Sequence, residues 1–345
     1  MKALVVRDIG KIELCELPIP QVTQPDDVLL KVSAVGICGS DIKILEGKHH
    51  YGKDIALGHE FCGTIVEVGS RVTHVKVGDR VSIDPNICCG FCSFCRMGLP
   101  SQCVEIKSSS IGIMRNGGYA EYCLVPERQC FILPNEIDDI HGTQVETLAT
   151  VINGMNTLLM LPYEYVLILG FGPIGYLFAQ FAKNIAAKVA VTEIDPFRIN
   201  IARQCGLTVW NPLDEDIVAN ITEFTHGRKA DIVVEATGNA FEQAVQCVTA
   251  GGKVLPFGMD SSIVATVVPN DITLQAIKIL GLYLGQNTML PAIRILEEKR
   301  LNMGPFFTKV IPLEDGINAF DTLGLNLKTL SHHPKSAMKI VMKIQ

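Results

Sequence analysis

The apolar run Val166-Leu167-Ile168-Leu169 passes directly into Gly170-Phe171-Gly172-Pro173-Ile174-Gly175, and a helical pattern follows from Tyr176 to about Ala186. A run that is apolar at every position suits a strand buried on both faces, hence a parallel sheet covered by helices. In G-x-G-x-x-G the first glycine permits a tight turn and the second lets a pyrophosphate approach the backbone. The third lets helix and strand pack closely. Unpaired N–H groups and the dipole at the helix start favour phosphate. Gly170, Gly172, Pro173, Ile174 and Gly175 therefore read as a dinucleotide-binding loop. The competing reading is an ordinary glycine-rich turn, and the strand and helix in their places favour the first.

The next strand, Lys188 to Thr192, ends in Glu193, eighteen residues past Gly175. That is close to the roughly 20 expected of the acid that accepts from a ribose 2′-OH. A carboxylate there repels a 2′-phosphate, so NAD is expected over NADP. Asp195 is a competing candidate. Arg198 has two readings, a partner for a 2′-phosphate or a solvated helix residue. Asp231 to Gly238 and Gly252 to Gly258 continue the parallel sheet, each ending in a loop on the ligand side.

At 345 residues the chain is longer than most single cores, so two domains are expected. Residues 1–150 alternate short apolar runs with turn residues, a β-rich region: Ala3 to Val6, Lys11 to Leu14, Val28 to Val35, Gly63 to Gly69, Val75 to Val81, and a glycine turn at Asn116 leading into a strand to Val125. A helical pattern from Gln144 to Leu161 changes the texture. The boundary falls near residue 150, with 151–289 the nucleotide-binding domain. Residues 290–345, with a helix from Pro291 and short strands at Lys309 to Ile311 and Lys339 to Met342, return to the first domain. A net charge of −6 without a basic block argues against a nucleic-acid partner. No apolar run is long enough to span a bilayer, and the first residues resemble a strand rather than a signal peptide, so a cytoplasmic address and no membrane partner are expected.

Twelve cysteines without a secretory signal point to reduced thiols or metal ligands. Cys89, Cys92 and Cys95 form C-x2-C-x2-C, and Cys103 supplies a fourth thiolate. Two-residue gaps let neighbouring thiolates converge on one ion, and four sulfurs close a tetrahedral zinc shell. Such a shell has no open position, so this site is structural, with Cys88 to spare. An iron–sulfur cluster also takes four thiolates, but the ferredoxin run spaces them differently and ends Cys-Pro. The bland alternative is a chance cluster of free thiols. A second donor set lies in Gly36-Ile37-Cys38-Gly39-Ser40-Asp41 and, about twenty residues later, Gly58-His59-Glu60. Thiolate, imidazole and carboxylate are ligands zinc takes, and a catalytic zinc needs three protein ligands and an open position. Alone, this pair of segments is as consistent with core residues on apolar strands.

With those motifs, Gly117-Gly118-Tyr119-Ala120-Glu121-Tyr122 and Glu146-Thr147-Leu148, the chain resembles over essentially its whole length the zinc-dependent medium-chain dehydrogenase/reductases, in the branch of sorbitol, threonine and sugar-alcohol dehydrogenases. The resemblance implies an α/β protein, with a GroES-like β-rich catalytic domain and a Rossmann doubly wound parallel-sheet domain. It implies two zinc ions per chain, NAD, and a homodimer or homotetramer. Cys38 and His59 match the catalytic-zinc ligands. Glu60 matches a residue that binds the metal or alternates with water, and Glu146 the acid of a Glu-Pro-Leu motif that completes the site directly or through water. Ser40 matches the hydroxyl that starts the proton relay, so Ser40 and Glu60 are the expected catalytic residues.

The implied reaction is hydride transfer between NAD and a secondary alcohol of a polyol, sugar or sugar acid. The alternatives are a 3-hydroxy amino acid dehydrogenase of the L-threonine type, and a catalytically silent zinc- and NAD-binding protein, against which the intact Cys38, Ser40, His59, Glu60 set argues. The chain departs from the pattern where Thr147 replaces the motif's proline and where Lys43 stands in place of a histidine. Leu284 and Gly285 replace the Arg and aromatic residue that sorbitol dehydrogenases place near the polyol. His49, His50, Tyr51 and Lys53 are either an exposed loop or a contact for a polar substrate, and His332-His333 read as loop residues.

Overall fold

The structure, a computed structural model, describes residues 1–344 and divides them into two compact units. Among the described residues the first comprises 1–150, 283–300 and 307–344; the second comprises 151–282 and 301–306. Among the described residues, no helix is long and apolar enough to cross a membrane.

The first unit is β-rich. The strands β1 (Lys2–Asp8), β2 (Lys11–Glu16) and β4 (Ile55–Ala56) form a small sheet. Between them run β3 (Asp27–Gly36) and helix α1 (Gly39–Leu45). Then come β5 (Glu60–Val68), β6 (Arg80–Ile83), β7 (Tyr122–Pro126) and β8 (Cys130–Ile132). The long β3 is the axis of a seven-stranded sheet, pairing antiparallel with both β5 and β7. Its register sets Gly36 opposite Glu60, so the segments leaving β3 and entering β5 lie side by side.

Two expected strands are shorter than the apolar pattern suggests. Val75 to Asp79 is a turn leading into β6: Gly78 takes φ +95°, and Asp79 Oδ2 accepts from the Lys76 N–H at 2.9 Å. Between Asn116 and Val125 only the end is strand. Gly117, Gly118 and Tyr119 instead donate their N–H groups to Ala56, Gly58 and Leu57, closing a loop around the segment that carries His59. The apolar runs are real in both cases, but local side-chain and glycine chemistry breaks their pairing.

Helix α2 (Val145–Leu158) leads to the second unit and stops where Leu159 turns to φ +46°. The strands there are β9 (Tyr165–Leu169), β10 (Lys188–Thr192), β11 (Thr208–Trp210), β12 (Ala230–Glu235), β13 (Val248–Pro256) and β14 (Lys278–Ile279). All pairings are parallel, in the order β11-β10-β9-β12-β13-β14. Numbered within the unit this is 3-2-1-4-5-6, the doubly wound Rossmann arrangement, whose ligand crevice lies where the order reverses after the first strand. Val166, Leu167, Ile168 and Leu169 are fully buried, as a central strand covered on both faces requires. Helix α3 (Pro173–Ile185) starts directly after it.

The chain then returns through β15 (Phe307–Pro312) and β16 (Lys339–Lys343). Strand β16 pairs antiparallel with the end of β3, setting Val341 opposite Gly36. This places a C-terminal strand against the end of β3, just before Cys38 and about 300 residues earlier in the sequence.

Candidate metal centre

Cys38 stands at the N-terminus of α1, where the chain leaves β3, and its own N–H donates to Asp41 Oδ2 at 2.8 Å. The Tyr119 hydroxyl donates to the same oxygen at 2.8 Å. Tyr119 reaches it because Gly58 has φ +90° and no Cβ; a side chain there would run into the tyrosine ring. The turn therefore brings His59 round to face Cys38. One donor atom each from Cys38, His59 and Glu60 lies within 4.8 Å of the others.

The imidazole is poised on both sides. Its Nε2 is 3.3 Å from Ser40 Oγ. Its Nδ1 faces Asp41 Oδ1 at 3.6 Å, and both of these buried atoms lack a hydrogen-bond partner. Burial works against a proton on His59, yet Cys38, Asp41 and Glu146 together hold its pKa well above the ordinary value. A metal on the ring displaces that proton, and Asp41 is placed to orient the other nitrogen, the usual second partner of a metal-bound histidine. The donor set fits zinc.

Both oxygens of Glu60 are engaged. Thr147 Oγ1 donates to Oε1 at 2.6 Å, and the Lys339 ammonium donates to Oε2. Burial would raise the Glu60 pKa, but Lys339, His59 and the hydroxyl of Thr147 hold it below its ordinary value. Lys339 is fully buried on β16, which also explains why Gly36 has no side chain: a Cβ there would strike Glu60 and Lys339. Sequence reasoning missed both partners. Lys339 opens an apolar strand and is no nearer the site in sequence than any other C-terminal lysine.

Glu146, in the first turn of α2, lies outside the cluster formed by Cys38, His59 and Glu60. Burial pushes its pKa up to about 7, with His59 opposing and Glu60 and Asp84 adding to the rise. Glu146 lines a cavity of about 360 Å³ within the first unit, together with Asp84, Asn86, Arg128 and Thr288. Gly285 also lines it, at one of the two positions where bulkier residues were expected of a sorbitol dehydrogenase.

The second cluster gathers Cys89, Cys92, Cys95 and Cys103, again within 4.8 Å of one another. The Sγ separations are 3.6 Å for Cys92–Cys95, 3.5 Å for Cys89–Cys103 and 4.0 Å for Cys89–Cys95. A tetrahedron of Zn–S bonds near 2.3 Å has edges of about 3.8 Å, so the four sulfurs already outline a zinc shell. Cys88 stays out of the cluster and lines the cavity.

Residues 24–135 match the alcohol dehydrogenase GroES-like domain family, and residues 173–298 match the zinc-binding dehydrogenase family. The chain is 34% identical to an L-threonine 3-dehydrogenase of Pyrococcus furiosus over 86% of its own length and 87% of the relative's. It is 30% identical to a sorbitol dehydrogenase of Bacillus subtilis over 93% of each. It belongs to the zinc-dependent medium-chain dehydrogenases. A zinc-binding dehydrogenase of Sinorhizobium meliloti 1021, solved bound to NADP, superposes with a TM-score of 0.90 at 30% identity, covering 99% of this chain and 98% of that one.

In this dehydrogenase the glycine loop is built as its spacing requires. Gly170 has φ +91°, and a Cβ on Gly175 would collide with the Gly170 carbonyl oxygen. Gly175→Ala is therefore expected to cost about 1–3 kcal/mol by overpacking. The loss should appear as a lower melting temperature and as binding of a reduced nicotinamide dinucleotide, NADH or NADPH, weakened about tenfold or more in a fluorescence titration. Glu193 accepts from the Phe171 N–H of the loop at 3.0 Å, and from the N–H groups of Ile194 and Asp195 at 2.8 and 3.0 Å. Asp195 instead caps the next helix, accepting from Phe197 and Arg198. Arg198 is no solvated helix residue. Its guanidinium reaches over Gly172, its Nε is buried without a partner, and burial lowers its pKa against the pull of Glu193 and Asp195.

Proposed function

We propose that this dehydrogenase transfers hydride between NAD and a secondary alcohol of a polyol, sugar or sugar acid. The observation that carries the reading is the convergence of Cys38, His59 and Glu60 on one point, with Ser40 Oγ 3.3 Å from His59 Nε2, in a chain that also has a dinucleotide loop. Cys38 and His59 would hold a zinc, with Glu60 and Glu146 completing its surroundings directly or through water. Cys89, Cys92, Cys95 and Cys103 would hold a second. When bound, the first zinc supplies a Lewis acid for the substrate oxygen and the nicotinamide supplies the hydride acceptor.

The remaining work belongs to the chain. Ser40 receives the proton of the substrate hydroxyl at Oγ, the position from which a relay can pass it on. Asp41 and Tyr119 hold the His59 ring in place. Gly170, Gly172, Pro173, Ile174 and Gly175 seat the pyrophosphate. Glu193 supports NAD because a carboxylate eighteen residues past Gly175 is at the spacing of the acid that accepts from a ribose 2′-OH and repels a 2′-phosphate. Arg198, lying against Gly172, would hold the adenosine side of the cofactor.

The cavity beside Glu146 sets polar groups of Asp84, Asn86, Arg128 and Thr288 among apolar ones of Ile106, Phe131, Met289 and Leu290, a mixed wall that supports a small substrate with several hydroxyls. A panel of polyols, sugar acids and L-threonine with NAD and NADP tests the reading. NADH formation with a polyol or sugar acid is expected. The 34% identity to an L-threonine 3-dehydrogenase makes threonine the second substrate class to score. No reduction of either cofactor by any member of the panel would sink the proposal.

A further inference from the structure

We infer that Thr147 is a positioning residue, whose hydroxyl turns the Glu60 carboxylate toward Lys339 and restrains it from entering the inner shell of the metal. The inference rests on the proposal that Cys38 and His59 hold a zinc. Its ground is the geometry around Glu60, which is buried and has a cationic or polar partner on each oxygen. Thr147 Oγ1 donates to Oε1 at 2.6 Å and the Lys339 ammonium to Oε2. A carboxylate whose two oxygens both accept strong hydrogen bonds has less negative charge to offer a metal, and moving it costs two buried bonds at once. Yet a Glu60 oxygen still lies within 4.8 Å of the Cys38 and His59 donor atoms, so a small rotation would bring it in.

Thr147 is the adjustable half of this clamp. Lys339 is fixed by β16, whereas Thr147 occupies the place of a proline in the motif the chain resembles, and proline has no hydroxyl. Thr147 sits in the first turn of α2, where N–H groups lack intrahelical partners and proline is tolerated, so the backbone does not require the threonine. What the threonine adds is the bond to Glu60. Keeping Glu60 outside the inner shell leaves the open position for the substrate oxygen.

The test compares Thr147→Val, which keeps the shape and loses the hydroxyl, with Thr147→Ser, which keeps the hydroxyl. The purified holoprotein is used for zinc release to a chelator, and the cobalt-substituted protein for visible spectroscopy. The signal followed is the part of the cobalt spectrum that Cys38→Ser removes. In Thr147→Val that part is expected to change, zinc release from the same site to slow about tenfold, equivalent to about 1.4 kcal/mol, and kcat to fall, with a modestly lower melting temperature for the buried hydrogen bond lost. Thr147→Ser should behave as the parent. An unchanged spectrum and release rate, or faster release, in Thr147→Val would overturn the inference. If Cys38→Ser removes no part of the cobalt spectrum in the parent, the zinc assignment itself is wrong, which separates that failure from this one.

Discussion

Lys339→Met is expected to lower the stability of the protein by about 3–5 kcal/mol, the usual result of leaving a buried charge without its partner. Glu60 and Lys339 are both shut off from solvent, and Lys339 is the cation that Glu60 touches. Removing it leaves a carboxylate with the Thr147 hydrogen bond and the neighbouring His59 in a pocket that already contains Asp41 and Glu146. A melting temperature lower by roughly ten degrees would express the loss. Glu60→Gln in the same background should recover much of it, because the double replacement removes both charges.

The pH dependence follows from the directions of the two shifts. Glu60 lies below its ordinary value, so its contribution is present above the unfolded value of about 4.3 and lost as pH falls through the folded one. Lys339 lies above its ordinary value, although burial alone would lower it. Its contribution is present below about 10.4 and lost as pH rises through the folded value. The deficit of Lys339→Met should therefore be full at alkaline pH and shrink as pH falls, beginning at a higher pH than the parent's acid transition because the buried Glu60, without Lys339, takes up its proton more readily. A deficit constant from pH 4 to 9 would show that Glu60 is not the group Lys339 neutralises.

Contacts close in sequence were legible before the structure, and distant ones were not. The glycine loop spans six residues and the thiolate lobe fifteen, so their chemistry follows from spacing along one stretch of chain. Cys38 and His59 needed the pairing of β3 with β5 to bring them together, yet their residue types still suggested a site. Thr147 meets Glu60 across 87 residues and Lys339 across 279. Thr147 stood out only as a departure from the motif's proline and Lys339 carries no motif, because a hydroxyl or an ammonium acts here only through the carboxylate it touches. Arg198 carried two readings at its helical position, a phosphate partner or a solvated residue, and the fold turns it back over Gly172. The expected strands at Val75 and Asn116 failed for a local reason, since Gly78, Asp79, Gly117 and Gly118 redirect the backbone within otherwise strand-like runs.

Cys38→Ser and Cys92→Ser are expected to separate the two metal sites by opposite losses. Cys38 stands at the end of a strand and the start of a helix, both held by their own hydrogen bonds and by a core that does not include it. Its replacement should remove about one zinc per chain and reduce kcat/KM by a factor of about a thousand or more, the scale expected when a Lewis acid contributing several kcal/mol is lost. The fold and the melting temperature should be nearly unchanged. The thiolate lobe has no comparable support. Its regular structure around Cys92 is a four-residue helix, Ser93–Arg96, without a buried residue, and Phe91 and Met97 are exposed. A segment that buries so little apolar surface would take its order from an ion held by its four thiolates, so that binding energy there would be folding energy. Cys92→Ser should likewise release about one zinc per chain, but with proteolysis opening within residues 88–103, while the Cys38-dependent part of a cobalt spectrum survives. Zinc measured by atomic absorption, with limited proteolysis of each variant, decides the matter: equal protease resistance in the two variants would mean that the lobe holds its shape without an ion.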